Sequence, residues 1–246
     1  MKKKRQINRK RPGFFFKGYC ALIKFFKKQV IFYHVGEQEP EGTLILSNHE
    51  ASKGPLAWEL FYDKSVRMLG TEEMNSGFKR LYQYQTEVYY HQKHKWNLTL
   101  ARLFCLIASP IVYFFYEGLQ LISIRQGVAL KTTISEACTS LLDFRERVIL
   151  FPEDSSRGYF PEITEFKQGF LLICEQAYKR GHDMTIAVAY VKNKQNTCLI
   201  DAPVKYSALL EKYRTRAQIA EALKDRCNEL GRLNHPDYHC YNRNAI

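Results

Sequence analysis

A chain of 246 residues, 46% of them hydrophobic, is long and apolar enough to bury one substantial core, which argues against a disordered protein. Its net charge of +12 is unevenly placed, since eleven Lys and Arg precede the first acidic residue, Glu37, and the remainder is close to neutral. Seven cysteines form no Cys-x-x-Cys pair and leave an odd one, which argues against a zinc ribbon or a complete disulfide framework and fits a reducing compartment.

Residues 1–12 read as a basic arm, stopped by Pro12-Gly13. Lys17, Lys24, Lys27 and Lys28 interrupt the apolar residues that follow, and no small-residue cleavage site appears, so a signal peptide is not expected. The run "FFFKGYCALIKFFKKQVIFYHV" mixes Phe, Leu and Ile with lysines. It is expected to be an amphipathic helical segment whose rings enter a membrane boundary while the lysines reach anionic headgroups. A first core helix with a basic edge is the alternative. Residues 1–36 are therefore set apart as arm and membrane-associating segment, and residues 37–246 as an α/β domain. Nucleic acid is not an expected partner, because the aromatics of the basic segment cluster with Leu and Ile instead of occupying base-reading positions.

From residue 43 apolar runs alternate with helical patterns. "TLILS" reads as a strand, a helix starts at Pro55, "SVRML" is a strand, and residues 73–97 form a polar-aromatic helical stretch. "LTLARLFCLIASPIVYFFYEG" approaches bilayer-spanning length, but Arg102, Ser109 and Pro110 interrupt it, so a buried or re-entrant segment is expected over residues 98–116, with a true span as the alternative. Then come strand "LQLISI", a helix over 128–145, strand "RVILF", a helix closing at Gly181, strands "MTIAVAYV" and "TCLIDAPV", and a last helix that Gly231 can close. This alternation predicts a mixed, mostly parallel central sheet flanked by helices, with ligands at the carboxyl ends of its strands.

Four loops place polar residues directly after buried strands: Asn48-His49, Arg125, "PEDSSRG" and the loop after "IAVAY". In this order they resemble the glycerolipid and lysophospholipid acyltransferase superfamily. "SNHEASKGP" stands where that family has Asn-His-x4-Asp, and "GLQLISIR" resembles its Gly-aromatic-Ile-x-Arg block. "LFPEDSSRGYFPEITEFKQGF" resembles its Phe-Pro-Glu-Gly-Thr-Arg-Ser block with the Phe-Lys-x-Gly that follows. The resemblance spans about residues 40 to 195, and the third block is the most specific.

The resemblance implies transfer of a fatty acyl group from a thioester of coenzyme A or acyl carrier protein to a lysophospholipid hydroxyl, with no metal or redox cofactor; the basic arm, facing anionic lipids, sets the expected location at the cytoplasmic face of the cell membrane. His49 suits the base that takes the hydroxyl proton. Glu153 would order the pocket and contact the acceptor. Asn48, Arg125, Ser155, Ser156, Arg157, Lys167 and Gly169 would bind substrate, the guanidinium groups meeting phosphate bidentately.

The sequence departs from the family pattern at Gly54, where the acid is expected, and at Ser156, which takes the usual Arg position one residue before Arg157. Losing an orienting carboxylate can cost about 10⁴ in turnover in a triad enzyme. Glu50, Asp63 and Asp154 are candidate substitutes, a neighbouring carbonyl could fix the imidazole tautomer instead, and a catalytically silent lipid-binding protein is the third reading. "HPDYHC" puts His235, His239 and Cys240 close together, but without a second Cys/His pair a polar tail is expected there, not a metal site. "YYHQKHKW", with His91 and His94, reads as an amphipathic helix at a membrane interface or over the core.

Overall fold

The computed structural model describes residues 13–50, 53–154, 160–234 and 240–243. In chain order they form α1 (Phe14–Phe26), β1 (Ile31–Val35), β2 (Thr43–Ser47), α2 (Lys53–Phe61), β3 (Val66–Thr71), α3 (Glu72–Asn75), α4 (Phe78–Gln83) and a π-helix (Tyr84–Lys93). There follow α5 (Leu98–Leu119), β4 (Ile122–Ile124), a 3-10 turn (Gly127–Ala129), α6 (Leu130–Cys138), a second π-helical turn (Thr139–Asp143), β5 (Arg147–Leu150) and α7 (Gly169–Tyr178). The chain closes with β6 (Thr185–Lys192), β7 (Thr197–Asp201), β8 (Val204–Lys205), α8 (Tyr206–Lys212), α9 (Arg216–Arg232) and β9 (Cys240–Arg243).

Strands β2 and β6 are buried along their whole lengths because they sit mid-sheet with helices over both faces, which is why their sequences are continuous apolar runs. The sheet order is β4-β3-β5-β2-β6-β7-β1-β9, with β8 also paired to β6. Strands β4, β3, β5, β2 and β6 run parallel, β7 turns back antiparallel to β6, β1 is parallel to β7, and β9 is antiparallel to β1. The fold is the expected mixed, mostly parallel α/β sheet.

Successive strand residues point to opposite faces, so the core divides in two. Leu44, Leu46, Val148, Leu150, Ile186 and Val188 pack under α6, α7 and α9. Ile45, Ile149, Ala187 and Ala189 pack under α2 and the foot of α5, with Trp58 fully buried at the centre. Burying a side chain of that size stabilises the fold by about 3 kcal/mol, and the indole N–H is satisfied by Ser47 Oγ at 3.1 Å.

Several expectations are corrected. The N-terminal helical segment does not run to residue 36: α1 ends at Phe26, Lys27 turns extended, and residues 31–35 are a sheet strand. Residues 98–116 are mostly exposed instead of buried, and Pro110 does not interrupt them. They lie within one continuous helix that turns Leu100, Leu103, Ile107 and Phe114 outward, with Ile107 77% exposed. Gly231 does not close the last helix. It lies inside α9, where a Cβ would come within 2.8 Å of the Tyr190 ring, so the glycine makes room for an aromatic side chain. The run "TCLIDAPV" breaks into two short strands, and α2 begins two residues before Pro55.

Candidate functional site

Parallel strands point their carboxyl ends to one rim, and three of the expected residues follow such ends: His49 after β2, Arg125 after β4 and Glu153 after β5. Strands β2 and β5 are adjacent, whereas β4 lies three strands from β2, about 14 Å across the sheet.

Asn48 fixes the exit from β2. Its side-chain oxygen accepts from the Val191 N–H at 2.6 Å and its Nδ2 donates to the Val191 carbonyl at 3.0 Å, which ties the loop to β6. This buried amide braces the backbone of the site. His49 is then held by its main chain at both ends. Its N–H donates to the Glu153 carboxyl and its carbonyl accepts from the Gly54 N–H at 3.2 Å. The imidazole packs on Phe151, ring centroids 4.9 Å apart at 60°.

Gly54 has a steric reason. A Cβ at this position would lie 2.4 Å from the His49 carbonyl oxygen and 2.9 Å from that of Asn48. With the loop closed this tightly, no side chain, acidic or otherwise, fits where the resembled family has its Asp.

The third block is a clamp. Lys167 N–H donates to the Pro152 carbonyl at 2.7 Å, Asp154 N–H donates to that of Glu165 at 3.3 Å, and Glu153 bridges antiparallel to Phe166. The spacing between "FPE" and "FKQG" is therefore the spacing of two paired segments. Burial lifts the Glu153 carboxyl to about 7; the His49 N–H works against the rise and the neighbouring Glu50 adds to it. Glu153 thus exchanges a proton near neutrality beside the base candidate, a property that clusters at functional sites. Behind it stand Tyr190, pushed up to about 12 chiefly by burial, and Cys227 of α9, whose thiol donates to the Ala189 carbonyl at 3.3 Å.

Arg125 shares the rim but is already engaged. Its guanidinium lies 3.3 Å from Glu136 and 3.9 Å from Glu72, and its main-chain N–H donates to Thr133 Oγ1 at 3.0 Å. The three substitute acids fare differently. Glu50, with φ +40°, accepts from the Asn193 N–H at 3.2 Å, and Asp154 pairs with Lys167 at 3.0 Å. Asp63 is excluded, because it precedes β3 and lies at the opposite rim, with the length of β2, about 16 Å, between it and His49. Gly169 opens α7, and a Cβ there would meet nothing within 4 Å. Ser155, Ser156, Arg157, His235 and His239 lie outside the described residues.

Sequence reading missed Phe151 as the ring beneath the imidazole, and Tyr190 and Cys227 as core groups close enough to Glu153 to feel its charge. Only the resemblance could have flagged Phe151; Tyr190 and Cys227 sit in apolar patterns that read as ordinary core. No family model matches this chain, and no curated protein matches it significantly.

Proposed function

We propose that this chain is a membrane-associated O-acyltransferase that moves a fatty acyl group from an acyl thioester, carried by coenzyme A or acyl carrier protein, to a lysophospholipid or related glycerolipid. The observation that carries this reading is the His49–Glu153 pair. Two adjacent parallel strand ends deliver an imidazole and a carboxyl poised near neutrality, linked through the His49 N–H, on the rim where such sheets bind ligands. His49 takes the proton of the acceptor hydroxyl as its oxygen attacks the thioester carbonyl. The C–O bond forms, the C–S bond breaks, and the proton passes to the departing thiolate. Arg125 on the same rim offers a guanidinium to the acceptor phosphate, exchanging its hold on Glu72 and Glu136 for it.

The basic arm and α1 serve as the attachment to the cytoplasmic face of the cell membrane. α1 exposes Phe14, Phe25 and Phe26 among lysines, and α5 is long and apolar enough to cross a bilayer. The test is transfer from acyl-CoA and acyl carrier protein thioesters to a panel of lysophospholipids, with His49→Ala abolishing it while thermal unfolding stays unchanged. Equal transfer by the variant removes His49 as the base. The steric exclusion of a carboxylate at residue 54 favours a second reading, a lipid-binding protein without turnover. Saturable lysophospholipid binding with no transfer from any donor would establish it.

A further inference from the structure

Helix α5 distributes its side chains in reverse of a soluble amphipathic helix. The face it buries carries small residues, Ala101, Cys105 and Ser109, packed on the π-helix 84–93, with Ser109 Oγ donating to Gln85 Oε1 at 2.6 Å. Opposite, Leu100, Leu103, Phe104, Ile107, Ile111 and Phe114 form an uninterrupted exposed stripe about 21 Å long. The helix runs antiparallel to its partner arm, as the contacts Phe78–Tyr113 and Tyr90–Phe104 show, and its foot joins the core through Phe115, Tyr116 and Leu119. Phe151, the ring beneath His49, packs on the same apolar cluster as that foot.

By length alone α5 could cross a bilayer, but the partner arm forbids it. That arm buries Gln85 against α5 and exposes Lys79, Arg80, Gln83, Glu87 and Gln92, so a crossing hairpin would carry these groups into hydrocarbon. A stripe on one side only, backed by a polar arm, is the pattern of a helix lying in the membrane plane. Trp96 and the Tyr89–Tyr90 pair at the hairpin tip match the headgroup level, and α1, whose Phe16 fits against Gly118, adds lysines that complement anionic lipid.

We propose that α5 lies flat in one leaflet of a phospholipid bilayer, its large apolar stripe toward the acyl chains and the 78–93 arm above it toward water. The inference rests on the membrane half of the function proposed above and not on acyl transfer.

Leu100→Trp, Ile107→Trp and Phe114→Trp in the full chain, bound to phosphatidylcholine–phosphatidylglycerol vesicles, are tested with lipids brominated near the headgroup or deep in the chain. The wild-type signal of Trp58 and Trp96 is subtracted. A flat helix gives all three tryptophans the same shallow quenching. Quenching of residue 107 that is deeper than at residues 100 and 114 means a crossing helix, and no quenching at any position means no bilayer contact; either result overturns the proposal. Leu103→Asp combined with Ile107→Asp, both exposed and so expected to leave the melting temperature unchanged, should lower partition onto the same vesicles at least tenfold, and unchanged partition also overturns it. His49→Ala, which tests chemistry, should leave the depth profile as in the wild type.

Discussion

The Gly54 N–H lies 3.2 Å from the His49 carbonyl oxygen, and the same contact leaves 2.4 Å for a Cβ on residue 54. Glycine is thus the condition for the loop that presents the imidazole, and restoring an acid at this position would push the imidazole away. Gly54→Ala and Gly54→Asp are both expected to destabilise by about 1–3 kcal/mol, because the neighbouring atom is backbone and cannot swing aside. Both should also lower transfer, with Asp no better than Ala. Denaturant unfolding and initial rates check this, and a large gain in transfer for Gly54→Asp at unchanged stability would contradict the contact.

Asn48 closes a buried two-bond pair with the main chain of Val191. Asn48→Ala leaves a buried N–H and a buried carbonyl unpaired, at about 1–3 kcal/mol each. A drop of about 2–4 kcal/mol in unfolding free energy is expected. Faster amide hydrogen exchange at Val191 and its β6 neighbours should accompany it, and a loss of transfer with normal stability would instead indicate a direct role at the acceptor.

The parts of the fold that were legible share one property. Strands β2, β5 and β6 are buried on both faces, so they appear as unbroken apolar runs, and the parallel sheet follows from their alternation with helices. β1 was hidden because "VIFYHV" follows the lysine-rich helix with no Gly or Pro between them, and the break at Lys27 is conformational. In α5 the composition was visible but its orientation was not, since only the packed partner reveals that the small residues face inward. At the site, the order of the blocks brought His49 and Glu153 to one rim, but what fixes them was illegible. The Asn48–Val191 lock spans 143 positions of sequence, and the steric meaning of Gly54 depends on the path of the backbone.

Glu153, lifted to about 7 mainly by burial, makes stability depend on pH in a definite direction. Between the ordinary carboxylate range and 7 the unfolded chain has released this proton while the folded chain keeps it, so stability falls as pH rises through that window and levels off above it. Glu153→Gln keeps an oxygen for the His49 N–H and removes the ionisation. It should match the wild type near pH 4 and exceed it at pH 8, by up to about 3 kcal/mol. The same variant should lose transfer and flatten the near-neutral limb of its pH profile. A stability difference that does not vary with pH would contradict a buried, elevated carboxyl.

At the opposite rim a buried carboxylate has the reverse sign. Glu39 is bound by His34 Nδ1 at 3.0 Å, Lys64 at 3.2 Å and Arg147 Nε at 3.0 Å, and it also accepts from the Tyr62 hydroxyl. Burial alone would raise its pKa, but the bonds from His34 and Tyr62 and the charges of His34 and Lys64 outweigh it and hold the carboxyl at about 2. Its contribution to stability is therefore complete above the ordinary carboxylate range and fades as pH falls toward 2. Because the group joins β1, the segment after α2 and the first residue of β5, removing its charge leaves the half-buried Lys64 and Arg147 without their carboxylate. Glu39→Gln should cost about 3–5 kcal/mol at pH 7, and urea midpoints for variant and wild type should converge between pH 5 and pH 2. A gap that stays constant over that range would mean that the cluster acts by packing, with its charge contributing nothing.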